Sequence, residues 1–108
     1  MIRCYRGKDG YPRVDVGEAH PEIGRFLEGD VQSSMGHCKE LIEIAEQVEL
    51  GRCPSYSGTG NAHTVTITPT GVTIENEWDE SLGIAKLSIA EFKQCLQLWL
   101  ECISTPRK

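Results

Sequence analysis

Between residues 63 and 78, apolar and polar side chains alternate on both sides of a turn, and no other feature constrains the fold as much. His63, Val65 and Ile67 alternate with Thr64, Thr66 and Thr68. After Pro69-Thr70-Gly71, Val72, Ile74, Asn76 and Trp78 alternate with Thr73, Glu75, Glu77 and Asp79. Proline sets φ at the corner and glycine accepts positive φ, so the segment predicts a hairpin. Period two sends the two sets to opposite faces. One face is apolar and must be covered. The other carries threonine and carboxylate and can face water. This alternation puts Trp78 on the core face with Val72 and Ile74. As the last apolar residue before an acidic turn, it also suits a rim, where tryptophan makes a binding hot spot.

The cover is legible as helices. Residues 20–28 predict a short one, with Pro21 in its first turn and Ile23, Phe26 and Leu27 on one face; Gly29 ends or kinks it. Asp30 can cap the next helix, in which Val31, Met35, Cys38, Leu41, Ile42, Ala45 and Val48 recur at helical spacing. Gly51 as C′ and Pro54 soon after close it. A last helix runs from Ile89 to Ile103 behind the capping box Ser88/Glu91 and the staple Leu87/Phe92, with Trp99 on its buried stripe. Short strands are expected at 2–6 and 11–16, around the turn Gly7-Lys8-Asp9-Gly10, and at 84–87. Residues 53–61 read as a mobile loop. The order ββ-αα-ββ(β)-α predicts an α+β two-layer domain, mostly antiparallel sheet with helices packed on one face, over residues 1–108.

Composition narrows the function classes. The 108 residues are 39% apolar and 25% charged, which is an ordinary globular balance. No apolar run approaches the roughly 20 residues of a membrane span. Met1-Ile2-Arg3-Cys4-Tyr5-Arg6 has no apolar stretch after its basic residues, so a cytoplasmic location is expected and a membrane partner is not. Cys4, Cys38, Cys53, Cys95 and Cys102 are odd in number and lack C-x-x-C spacing, and they read as reduced thiols. The net charge of −5 is segregated. Residues 1–17 carry +2 (Arg3, Arg6, Lys8 and Arg13 against Asp9 and Asp15), residues 18–50 carry −6 and residues 72–91 carry −4. Such a chain repels nucleic acid and suits a basic protein partner, although acidic faces also serve solubility alone.

Candidate chemistry is sparse. His37 and Cys38 diverge as helix neighbours and no C-x₂-C or H-x₃-H pair exists, so no metal or other cofactor is expected. Cys53 and His63 are the only pair suggesting a nucleophile and base, without a supporting signature. Ser57-Gly58-Thr59-Gly60-Asn61 is glycine-rich but precedes a strand, unlike a phosphate loop. Glu75, Glu77 and Asp79 share one strand face and repel one another. They lack the glycine and spacing of a calcium loop, and a glycosidase pair would need a sugar cleft with aromatic walls. They read either as a solvated, edge-protecting face or as a docking surface for a basic partner.

The layout carries a resemblance. Gly10-Tyr11-Pro12-Arg13-Val14 lies in the first strand pair. The acidic helix Cys38-Lys39-Glu40-Leu41-Ile42-Glu43-Ile44-Ala45-Glu46-Gln47-Val48 is followed by the hairpin from Ala62 to Ile74, an acidic stretch, and Leu87-Ser88-Ile89-Ala90-Glu91-Phe92 leading into the Trp99 helix. This resembles YacL-like small bacterial proteins and the immunity proteins of contact-dependent growth inhibition (CdiI-type) and related polymorphic toxin systems. The resemblance implies a non-enzymatic cytoplasmic protein, monomeric when free. It would bind the C-terminal toxin domain of its cognate effector 1:1 and occlude the active site, the toxin being a nuclease with a basic cleft. It carries no contact residues. Those come from charge and strand geometry: Glu75, Glu77, Asp79 and Glu80 toward toxin Lys or Arg, Trp78 and Tyr56 as rim anchors, and Glu40, Glu43 and Glu46 as a second contact surface. The alternatives are a cytoplasmic adaptor module of other target, or a small enzyme using Cys53 or His63.

Overall fold

The alternating hairpin forms as expected and organises everything around it. A computed structural model describes residues 2–104; Met1 and residues 105–108 of the expected domain lie outside them. The elements are β1 (Arg3–Arg6), β2 (Pro12–Asp15), α1 (Pro21–Phe26), a π-helical turn (Leu27–Val31), α2 (Met35–Glu49), β3 (Tyr56–Thr59), β4 (His63–Thr68), β5 (Gly71–Asn76), a 3₁₀ turn (Glu80–Leu82), β6 (Ile84–Leu87) and α3 (Ile89–Ser104). Strands β3-β4-β5-β6 make one antiparallel sheet in sequence order, and β1-β2 a separate two-stranded one.

Register settles the two faces. Val65 pairs with Ile74, Ile67 with Val72, and Ile74 with Ala85. These five are buried beneath the helices with Phe26, Leu41, Phe92, Leu96 and Trp99. The opposite face carries Thr59, Thr64, Thr66, Thr68, Thr73 and Glu75, as cross-strand pairing requires. The domain is thus α+β, with helices on one face of the larger sheet. The capping box of α3 is formed: Ser88 N donates to Glu91 Oε1 at 2.8 Å and Glu91 N to Ser88 Oγ at 3.0 Å. Gly51 follows α2 at φ 76, where a side chain would be strained.

Three expectations are corrected. Residues 56–59 are a strand, not loop: β3 pairs along β4 from Tyr56↔Ile67 to Thr59↔Thr64, and the glycines that suggested mobility leave room for close packing. The first helical segment runs past residue 28, widening at Leu27 into a π turn that continues through Gly29 to Val31. Asp30 therefore caps nothing. The cap of α2 is Ser34, whose Oγ accepts from His37 N at 3.2 Å, and α2 starts at Met35 rather than Val31.

The π turn ends at Gln32 with φ 55 and ψ −138, a conformation unfavourable to any residue with a Cβ. It is held by Gln32 N donating to Leu27 O at 2.8 Å and by the Trp99 indole donating to Gln32 O at 2.8 Å. Relief of that strain outweighs the entropy that glycine adds to the unfolded chain. We expect Gln32→Gly to raise stability by up to about 1 kcal/mol and Gln32→Val to lower it by at least about 1 kcal/mol. Urea denaturation of the two variants checks this, and the reverse order would remove strain from this position.

Candidate docking surface around Trp78

Polar residues on the core face of the sheet build the base of this surface. His63 on β4 and Asn76 on β5 are register partners, and both are buried. They meet two buried carboxylates from the opposite layer, Glu22 of α1 and Asp30 of the π turn. His63 Nε2 lies 2.7 Å from Glu22 Oε2, and Nδ1 lies 2.8 Å from Asp30 Oδ1. Each contact needs one hydrogen. Arg25, hydrogen-bonded to Glu22 Oε1, sets a cation beside the two carboxylates. Asn76 Nδ2 donates to Glu22 Oε2 at 3.1 Å. His63 N and Ala62 N donate to Asp30 Oδ2 at 3.0 and 3.2 Å. A Cβ at Gly60 would lie 2.5 Å from that same oxygen, so only glycine fits the turn there.

Burial acts to raise the Glu22 carboxyl, but hydrogen bonds from Arg25, His63 and Asn76, together with the Arg25 charge, outweigh it and hold the group below its ordinary 4.5.

The cluster reaches the surface through Asn76. Its Oδ1 accepts from Trp78 N at 2.8 Å and Asp79 N at 3.0 Å, which ends β5 and turns the chain. Strand alternation stops there, so the expected core placement of Trp78 fails: the side chain is 77% exposed. It is still pinned. The indole Nε1 donates to Asn61 O at 2.9 Å, Asn61 Nδ2 donates to Gly29 O at 3.0 Å, and Glu77 N donates to Ala62 O at 2.8 Å.

Around the indole, Glu75, Glu77, Asp79 and Glu80 are exposed. Glu77 turns back over the sheet to accept from Thr64 Oγ1 at 2.5 Å. Asp79 accepts from Ser81 Oγ and N, and these bonds hold its carboxyl below the ordinary value. The five residues singled out at 75 and 77–80 are thus all exposed, at and just beyond the end of β5. Tyr56, Glu40 and Glu43 meet elsewhere, around a depression between α2 and β3, and Glu46 is exposed on α2 outside its lining.

The other candidates are placed as follows. Both nitrogens of His63 are engaged by carboxylates, and Cys53 Sγ donates to Ser55 O at 3.1 Å. Burial pushes the Cys4 thiol up to about 12 and Cys38 to about 11, so both resist forming the reactive thiolate. Among the described residues, no group of three or more His, Cys, Asp or Glu is placed to hold a metal ion. The role of Glu22, Asp30 and Asn76 was missed in the sequence. The available signal was His63 and Asn76 falling in phase with Val65, Ile67, Val72 and Ile74, since polar residues on a core face demand buried partners. The fold and surface define an α+β domain with a pinned, exposed tryptophan in an acidic field. No protein family, curated protein or solved structure matches the chain.

Removing one member of a buried charged cluster strands the others, at a cost of about 3–5 kcal/mol. We expect that loss in His63→Ala, read by urea denaturation. The pH dependence has a definite sign. A carboxyl depressed in the folded state stabilises fully above its ordinary 4.5, and that stabilisation fades as pH falls through the lower folded value. Glu22→Gln should be less stable at pH 7 and show a flatter decline between pH 5 and 3. An unchanged slope would take Glu22 out of the acid response.

Proposed function

We propose that this is an immunity protein that binds a cognate toxin domain 1:1 in the cytoplasm and occludes its active site without chemistry. The toxin on this reading is a nuclease with a basic cleft, and the free protein is a monomer. The supporting observation is Trp78. A large aromatic side chain stays in water although the core face of its strand lies two residues away, and hydrogen bonds hold it in a single orientation. An anchor ordered before contact loses little entropy on binding, and buried tryptophan dominates many interfaces. The acidic residues beside it stand where a nuclease cleft would present cations to phosphate, and they would steer a basic partner. No helix among the described residues is long and apolar enough to cross a membrane.

The test is co-expression with the C-terminal domain encoded by the gene immediately upstream, with only that domain tagged. The expected result is a 1:1 complex that restores growth. Trp78→Ala should then weaken binding at least thirtyfold, or about 2 kcal/mol, and Glu75→Gln with Glu77→Gln at least tenfold, or about 1.4 kcal/mol, mostly through a slower association rate. Full affinity in both variants would move the interface off this surface. No complex and no rescue would leave the adaptor reading.

A further inference from the structure

We infer that the depression between α2 and β3 is a receptor for an arginine side chain of a partner protein. It encloses about 360 Å³ and is lined by Glu40, Glu43, Ile44, Gln47, Cys53 and Tyr56. The four α2 residues share one helix face by their three- and four-residue spacing. Ile44, Cys53 and Tyr56 pack against the core and make an apolar floor. Tyr56 also lines a smaller cavity of about 120 Å³ beside His37 and His63. The ring lies along β3 because residue 58 is glycine: a Cβ there would overlap the Tyr56 hydroxyl.

At the rim stand Glu40 and Glu43. Both are exposed, and neither side chain forms an ion pair or hydrogen bond among the described residues, whereas Glu49 on the same helix pairs with Lys93 at 2.6 Å. An apolar slot with an aromatic wall and two carboxylates that have no counter-ion among the described residues matches one side chain closely. Arginine buries its methylene stem on apolar surface, stacks its flat cation on an aromatic ring and offers a fork of donors to carboxylates. Lysine offers a point charge without the stacking plane or the fork. This inference rests on the proposed function only in assigning the arginine to a basic partner. The pocket itself is tested without that partner.

The experiment titrates acetyl-Gly-Arg-Gly-amide into the full ¹⁵N-labelled chain and follows amide shifts. The expected result is saturable millimolar binding, with shifts confined to residues 40–47 and 53–58. The matching lysine peptide should bind at least threefold more weakly. Glu40→Gln with Glu43→Gln should weaken binding at least tenfold, and Gly58→Ala, which displaces the tyrosine without touching a carboxylate, should also weaken it. Glu75→Gln with Glu77→Gln should leave it unchanged. Non-saturating shifts over every acidic surface, shifts centred on Trp78, or equal affinity after loss of Glu40 and Glu43 would each overturn the inference. Arginine binding without any complex with the upstream domain would sink the immunity reading alone.

Discussion

The contact between His63 and the two carboxylates of Glu22 and Asp30 is the interaction on which the rest of the arrangement depends. It joins three parts of the chain: α1, the π turn that follows it, and the central strand β4. Apolar packing alone tolerates sliding, because dispersion and burial are non-directional. Two short hydrogen bonds on opposite sides of one ring do not, since a shift of either helical segment lengthens one of them. Relative to apolar packing the net energy is small, because desolvating the charges offsets most of their attraction. The contribution is geometric: the cluster sets where the first helical segment sits on the sheet.

From that point order passes outward. Glu22 orients Asn76, and Asn76 ends β5 by accepting from two backbone amides beyond it. Asp30 holds the β3–β4 turn through Ala62 and His63, and that turn accepts the indole hydrogen of Trp78. The exposed tryptophan is therefore mounted on buried charges at both ends of its loop. The π turn belongs to the same device. The extra residue it accommodates carries Asp30 inward, away from the capping position that residue type and spacing suggested.

Charge segregation acts at a larger scale. Eight of the fourteen acidic residues outside the buried cluster lie on α2 or at and beyond the end of β5, whereas residues 1–17 carry a net +2. The two acidic regions differ in kind. Around Trp78 the carboxylates are partly engaged by Thr64 and Ser81 and frame a projecting anchor. On α2 they flank an apolar depression that receives rather than projects. A basic partner engaging both would meet a knob and a hole, which restricts its orientation more than charge alone does.

The sequence by itself determined the class of fold, the central hairpin and its two faces, the capped α3 and the amphipathic face of α2, because each is written in local periodicity or in a cap within three residues. It also marked residues 75–80 as an acidic cluster, with four carboxylates in six positions. Tertiary structure alone decided the rest. Gly58 looked like loop until β3 paired along β4, and why the turn needs glycine at residue 60 showed only when Asp30 was seen to occupy the space a side chain would need. Trp78 belonged to the core by alternation until Asn76 ended the strand. Asp30 looked like a cap until the π turn carried it to His63. Asp30 meets His63 across 33 positions and Asn76 meets Glu22 across 54, and a one-dimensional pattern holds no record of which distant polar groups will meet once the apolar faces close.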